Sequence, residues 1–286
     1  MNAEQYHVTV THDGKRAVEL LAAKSQLSKQ RIKLAMQRGA VWLTRGRHTT
    51  RLRRASRSLL AGDELHLYYN DKVLDETPIA PRLVADETCF SVWDKPSGLR
   101  SQGSKWGDHC TVVRWAEQHL QPQRSAFTVH RLDRAASGLL VIAHTKTAAA
   151  DLSRQFRERR VDKEYRAVVH GDVSAHEQPL HLTAPIDGKS AESFCRFVAS
   201  HGAAKQSLID VAITTGRKHQ IRRHLAAVGF PIVGDRLYGH AGPDAVDLQL
   251  RAVRLAFTHP IDARPVAYSL ATNDGTDRNP APGGES

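Results

Sequence analysis

An aspartate stands between two arginines in HRLDRAASGLL, residues 130–140, where Arg131, Asp133 and Arg134 precede a run of small and apolar side chains. A carboxylate in that setting can serve as a nucleophile or a general base, since both roles need an ionised group beside a surface that excludes water. The same residues also fit an exposed ion pair at a strand entrance, which contributes little. Three more segments place functional side chains near predicted strand or helix ends: VWDKPSGL (92–99), VDKEYRAVVHG (161–171) and GRKHQIRRHLAAVGFPIVGDRLYG (216–239). Taken singly, Lys95-Pro96 reads as a turn, Tyr165 as a half-buried strand residue and Arg222 as a charge on a helix surface.

Other chemistries find no support. The chain has no G-x-x-x-x-G-K-[ST] loop, no dinucleotide G-x-G-x-x-G, no H-E-x-x-H and no G-x-S-x-G elbow. Sixteen histidines invite a metal site, but His219 and His224 are five residues apart on one predicted helix and have arginine neighbours that repel a dication. No metal is expected. The three cysteines, Cys89, Cys110 and Cys195, are odd in number and lack metal-ligand spacing, which suits ordinary reduced thiols.

In their order and spacing the four segments resemble the RluA family of pseudouridine synthases, over most of residues 88–257. The resemblance implies an enzyme that breaks the bond between ribose carbon 1′ and uracil nitrogen 1, turns the base, and rejoins it through carbon 5. No redox change occurs, and no cofactor, nucleotide or metal is needed. Asp133 would be the catalytic group at the sugar, and Arg222 the cation that keeps a carboxylate ionised in a desolvated pocket, where it would otherwise protonate. Tyr165 would stack on the target base, and Arg131 would enter the RNA helix as the uridine flips out, since a base inside a duplex is out of reach. Ile221 would line the pocket, and Lys163 and Arg217 would contact phosphate or pocket wall. The chain departs from the family pattern at Ala136, where threonine is usual, at Lys218 in GRKHQ, and in GLRSQGS after Pro96. None of these touches Asp133, Tyr165 or Arg222.

The elements that must position these groups follow from periodicity. LLVIA (139–143) predicts a buried strand, and TAAADLSRQFRER a helix capped by Thr147 with Ala149, Leu152 and Phe156 inward. Alternation in VDKEYRAVVHG puts Lys163, Tyr165 and Ala167 on one strand face. A helix from about Lys218 would pack Ile221, Leu225 and Val228 and stop at Gly229 before Pro231. Near the start, KRAVELLAAKS predicts a helix through Val18, Leu21 and Ala22. SKQRIKLAMQRG predicts another, capped by Ser28, with Ile32, Ala35 and Met36 inward and Gly39 as the stop. AVWLTRGR reads as a strand into a glycine turn, and Leu65, Leu67 and Tyr69 alternate on one face of a further strand.

The formal charge of +11 is concentrated. Between Lys24 and Arg57 lie eleven Lys or Arg and no acid, which leaves 30 basic against 30 acidic residues elsewhere. Such a block suits a polyanion-binding surface, with Lys29, Arg31, Lys33, Arg38, Arg45 and Arg47 as candidate contacts. SKQRIKLAMQRGAVWL and LLAGDELHL resemble the RNA-binding domain of small-subunit ribosomal protein four, here the S-four-like domain, with VWLTRGR in place of its usual hairpin turn.

The fold expected is therefore α+β: an S-four-like domain over residues 1–70, a linker at 71–86, a pseudouridine synthase domain with a mixed, largely antiparallel sheet at 87–272, and a disordered Pro/Gly tail at 273–286. The polar opening MNAEQYHVTV and the lack of a long apolar run point to a cytoplasmic protein with no membrane contact. The two resemblances imply RNA as partner, ribosomal before transfer RNA, and a monomer is expected.

Overall fold

The computed structural model describes residues 3–201, 205–239 and 246–271. The tail expected to be disordered at 273–286 lies outside them. Two compact units divide the chain, one formed by the chain up to Ala80 with Leu99–Ala126, the other by Pro81–Gly98 with the chain from Phe127.

The first unit carries β1 (Glu4–Thr9), α1 (Ala17–Ser25), α2 (Lys29–Gln37), β2 (Val41–Arg45), β3 (His48–Arg51), β4 (Glu64–Tyr69), the short α3 (Asp71–Leu74) and α4 (Val112–His119). Its strands form an antiparallel sheet in the order β1-β4-β2-β3. Ser28 caps α2 by accepting the Arg31 N–H, and Gly39 follows with φ +79°, so both expected helix signals hold. Leu21, Ile32, Met36, Leu65 and Leu67 are fully buried in one core, as the two periodicities require.

The second unit is built on a mixed sheet. Its strands are β5 (Arg82–Asp86), β6 (Phe90–Lys95), β7 (Phe127–Thr128), β8 (Ser137–Ala143), β9 (Asp162–His170), β10 (Leu180–Leu182), β11 (Ser193–His201), β12 (Gln206–Ile213), β13 (Leu250–Thr258) and β14 (Pro265–Ser269). The order is β10-β11-β12-β9-β13-β8-β6-β5, with β14 beside β13 and β7 beside β8. Among the described strand pairings of this sheet, β13–β8 is the parallel one and the rest are antiparallel. Helices α5 (Lys146–Arg157) and α6 (Gln220–Ala227) complete it. Gly138 makes the parallel join possible, since its φ is +104° and a Cβ there would sit 2.2 Å from the Ala252 carbonyl oxygen. The glycine that ends DRAASG thus lets β8 approach β13 five residues after Asp133.

Four details differ from the sequence expectations. Residues 71–86 contain α3 and β5, because Asn70 caps a helical turn by accepting the Val73 N–H and Arg82–Asp86 pairs with β6. Residues 99–126 pack with the N-terminal unit instead of the C-terminal one; there Arg100 pairs with Glu76, and Asp108 with Arg51 and Arg53. Thr145, not Thr147, caps α5, and the buried side chains are Ala148, Leu152 and Gln155. Val228 is 43% exposed, because α6 ends at Ala227 and Val228 is its C-cap residue.

Candidate active site

The HRLD loop is held from behind by the VWDKPSGL segment. Ser97 Oγ donates to the Ala135 carbonyl at 2.9 Å, the Gly98 N–H to the Arg134 carbonyl at 2.8 Å, and Arg134 Nε returns a bond to the Gly98 carbonyl at 2.9 Å. Lys95 is fully buried, and its ammonium donates to the Pro96 and Arg134 carbonyls. Burial lowers its pKa to about 7, against a smaller opposing pull from Asp133. Lys95-Pro96 is therefore a staple on the loop that presents Asp133.

His130 fixes the other end. Its Nε2 accepts the Val141 N–H at 2.9 Å, which requires the neutral ring, and its face stacks on Phe156 at 4.2 Å. Phe156 thus serves the loop rather than the core side of α5. Burial, with Lys163 nearby, lowers the His130 pKa to about 3.

Opposite stands the GRKHQIR segment. Gln220, buried at the start of α6, receives the Thr215 hydroxyl at 2.6 Å and the Arg217 N–H at 3.0 Å, and donates to the Glu192 carbonyl and the Ser193 hydroxyl. Ser193 in turn donates to His224 Nδ1, whose Nε2–H binds the Ala184 carbonyl. Both histidine nitrogens are occupied, which explains His224 as structure. Among the described residues no group of three His, Cys, Asp or Glu could hold a metal.

These supports bring together residues more than eighty positions apart. Arg222 Nη1 lies 3.4 Å from Asp133 Oδ2, while its Nε and Nη2 bind Asp235 side-on at 2.8 and 2.7 Å. Arg222 and Asp235 are 4% and 1% exposed, so this is a buried ion pair whose outer nitrogen serves a half-buried carboxylate. Burial works against both charges, yet their mutual hydrogen bonds prevail, raising the Arg222 pKa and lowering that of Asp235. Asp235 also accepts the Leu237 and Tyr238 N–H groups. His219, in left-handed conformation at φ +54°, approaches Asp133 Oδ1 to 3.7 Å and shares a hydrogen bond with Tyr238 Oη.

A cavity of about 340 Å³ opens over this group, lined by Arg131, Asp133, Tyr165, Arg217, Ile221 and Arg222 among others. The structure thus gathers every expected site residue of this unit except Lys163 around one cavity. Lys163 lines an adjoining cavity of about 380 Å³ that shares Arg131, Tyr165 and Arg217. Burial, and then Asp133, push the Tyr165 phenol up, so the ring remains neutral and offers an uncharged face. Ala136 belongs to the apolar cluster with Ala167, Ile221 and Leu250, so a methyl occupies buried space where the family places a hydroxyl. Lys218 lines the cavity from its exposed rim. Sequence reasoning quoted Asp235 within GDRLYG but assigned it no role, and it weighed His219 only as a metal ligand. The signal was present as an acid in a glycine turn four residues after a proline.

In the N-terminal unit the candidate contacts separate into two groups. Arg31 is engaged by Asp71, Asp75 and Tyr69, and Arg45 by Asp63 on two hydrogen bonds. Arg38 lies 4.0 Å from Asp75 and Lys29 3.8 Å from Glu19. Lys33 and Arg47 are exposed and have no ion pair among the described residues, as do Lys24, Arg54 and Arg57. The tract contains no acid, but acids from outside it fold back to neutralise part of its charge.

With a carboxylate, a guanidinium and an aromatic face on one cavity, comparison with known proteins identifies the class. The family model for RNA pseudouridylate synthase matches residues 90–227. The chain is 37% identical over 204 residues to the dual-specificity RNA pseudouridine synthase RluA of Salmonella typhimurium, covering 66% of this chain and 91% of that protein. Against its Escherichia coli counterpart the identity is 39% over 186 residues, covering 59% and 83%. The solved structure of human RNA pseudouridylate synthase domain containing 1 superposes with a TM-score of 0.58 at 25% identity, over 69% of this chain and 86% of that one. The chain belongs to the RNA pseudouridine synthase family, within the RluA group. It is an RNA pseudouridine synthase with that family's fold.

Proposed function

We propose that the cavity over Asp133 receives a uridine flipped out of structured RNA, ribosomal RNA ahead of transfer RNA, and isomerises it there. The observation that carries this reading is the Asp133–Arg222–Asp235 chain beneath Tyr165. Asp133 acts at the sugar while the bond to nitrogen 1 breaks, either as nucleophile at ribose carbon 1′ or as base on the carbon 2′ proton, which it returns when the base is rejoined. The detached uracil turns against the neutral face of Tyr165, since stacking holds a ring without fixing its rotation. Carbon 5 then bonds to carbon 1′, the carbon 5 proton leaves and nitrogen 1 gains one, so product and substrate are isomers. Ile213, Ile221 and Leu250 close the apolar side of the cavity and keep the free base from escaping. Arg131, exposed at the rim, fills the RNA stack that the uridine vacates.

The N-terminal unit supports the ribosomal preference. Helices α1 and α2, the antiparallel sheet and the exposed cations are consistent with an S-four-like RNA-binding domain placed ahead of the catalytic residues in the chain. We assign the exposed, unpaired cations to phosphate contact and the paired ones to holding the unit together. Mapping pseudouridines in total RNA from cells with and without the protein tests the reading. The sites lost should fall in ribosomal RNA; losses confined to transfer RNA would reverse the preference, and no loss would contradict the function.

A further inference from the structure

We propose that the cavity beside the uridine site, on the Lys163 side of Tyr165, is a phosphodiester subsite that holds the RNA backbone immediately next to the target nucleotide. This rests on the reading of the Asp133 cavity as the uridine site. The cavity is about 380 Å³ and its lining includes Arg131, Arg157, Arg159, Lys163 and Arg217 but no Asp or Glu.

Lys163 is the decisive group. It is only 9% exposed on β9, yet its ammonium has no hydrogen bond or ion pair among the described residues. The side chain is buried but its ammonium reaches the cavity, where a bound anion would supply the acceptor that the protein does not. Burial and the Arg159 charge depress its pKa, so its surroundings bring more positive charge instead of relief. Two acids act on this cluster from outside the lining. Asp162 precedes Lys163 in the chain, and Glu192 feels Arg159 but is already bound by the Thr214 hydroxyl and by His181. Arg131, Arg157 and Arg159 are exposed and carry no ion pair among the described residues. Arg217 is anchored through Nε to the Ser190 carbonyl.

Position identifies the anion. The two cavities share Arg131, Tyr165, Ile213, Gly216 and Arg217 as a common wall. A nucleotide whose base lies against Tyr165 on one side has its adjoining phosphate within one backbone step of the other. A converging set of arginines around a lysine is the donor chemistry that suits phosphate oxygens. The stacked His130–Phe156 pair lines the cavity without adding negative charge.

The test uses the full-length protein and an RNA that it modifies. Two versions of that RNA carry an uncharged methylphosphonate, one on either side of the target uridine, and binding is measured for wild type, Lys163→Met and Arg157→Ala. One of the two methylphosphonates should weaken wild-type binding about tenfold, the scale of a charge-assisted contact. It should weaken each variant by clearly less than it weakens wild type, because the removed cation and the phosphate would be parts of one interaction. Arg157 is exposed, so its variant retains the fold even if Lys163→Met does not. Losses that multiply for both variants at both positions would overturn the subsite. Failure of the uridine reading is separate: it would show as wild-type protein that forms no pseudouridine in any RNA.

Discussion

Arg222 binds Asp235 side-on through Nε and Nη2, at 2.8 and 2.7 Å, and this fixes the plane of its guanidinium. The remaining nitrogen, Nη1, is then aimed at Asp133. Asp235 therefore works through Arg222 as a positioning residue. Asp235→Asn should reduce kcat on the order of a hundredfold, the scale of a misplaced catalytic contact, with little change in KM. Losing one partner of a buried pair should also lower stability by about 3–5 kcal/mol. Asp235→Glu, which keeps the charge, should recover part of both. Steady-state kinetics and urea unfolding check this, and a kcat within twofold of wild type for Asp235→Asn would contradict the positioning role.

His130 predicts a pH dependence of stability. Its folded pKa, about 3, lies below the ordinary 6.5. The unfolded chain therefore binds the extra proton first as pH falls, so the stabilisation is present above 6.5 and is lost toward 3. Between pH 6.5 and 5 this one group should remove up to about 2 kcal/mol. His130→Gln, whose carbonyl can still accept the Val141 N–H, should lack that increment. Urea unfolding of both proteins at the two pH values checks it; equal losses would mean that His130 does not stay neutral in the fold.

Much of this was readable from spacing. Ser28 and Gly39 bracket α2 because capping chemistry is local, and Leu65, Leu67 and Tyr69 bury alternately because a strand has period two. Asp133, Tyr165 and Arg222 were found through a resemblance, since nothing in the local sequence says that α6 meets the HRLD loop. What remained hidden was long-range. The Arg222–Asp235 pair, the Ser97 and Lys95 bonds to the HRLD loop, and the packing of 99–126 with the N-terminal unit all depend on which surfaces meet. The basic tract shows the same limit. Asp63, Asp71, Asp75 and Asp108 lie outside it in sequence and neutralise several of its arginines in the fold.

That pairing divides the N-terminal cations experimentally. Lys33→Ala and Arg47→Ala should each lower the slope of log affinity against log salt by roughly 0.7 to 0.9 if the residue meets a phosphate, with the melting temperature unchanged. Arg45→Ala should instead lower the melting temperature, because it strips the partner from Asp63, which is 2% exposed. A salt series with thermal melts for the three variants distinguishes them. Unchanged slopes for both Lys33→Ala and Arg47→Ala would mean that this face does not meet the RNA.

The account turns on the Asp133 carboxylate. Asp133→Asn keeps the size and shape of the side chain and removes only the ionisable group, so RNA binding should be largely retained. Single-turnover formation of pseudouridine at saturating RNA, measured for wild type and Asp133→Asn, is the most direct test. The account predicts no detectable pseudouridine from the variant. A variant that keeps even about a tenth of the wild-type rate, a barrier change of only about 1.4 kcal/mol, would show that Asp133 is not the catalytic group.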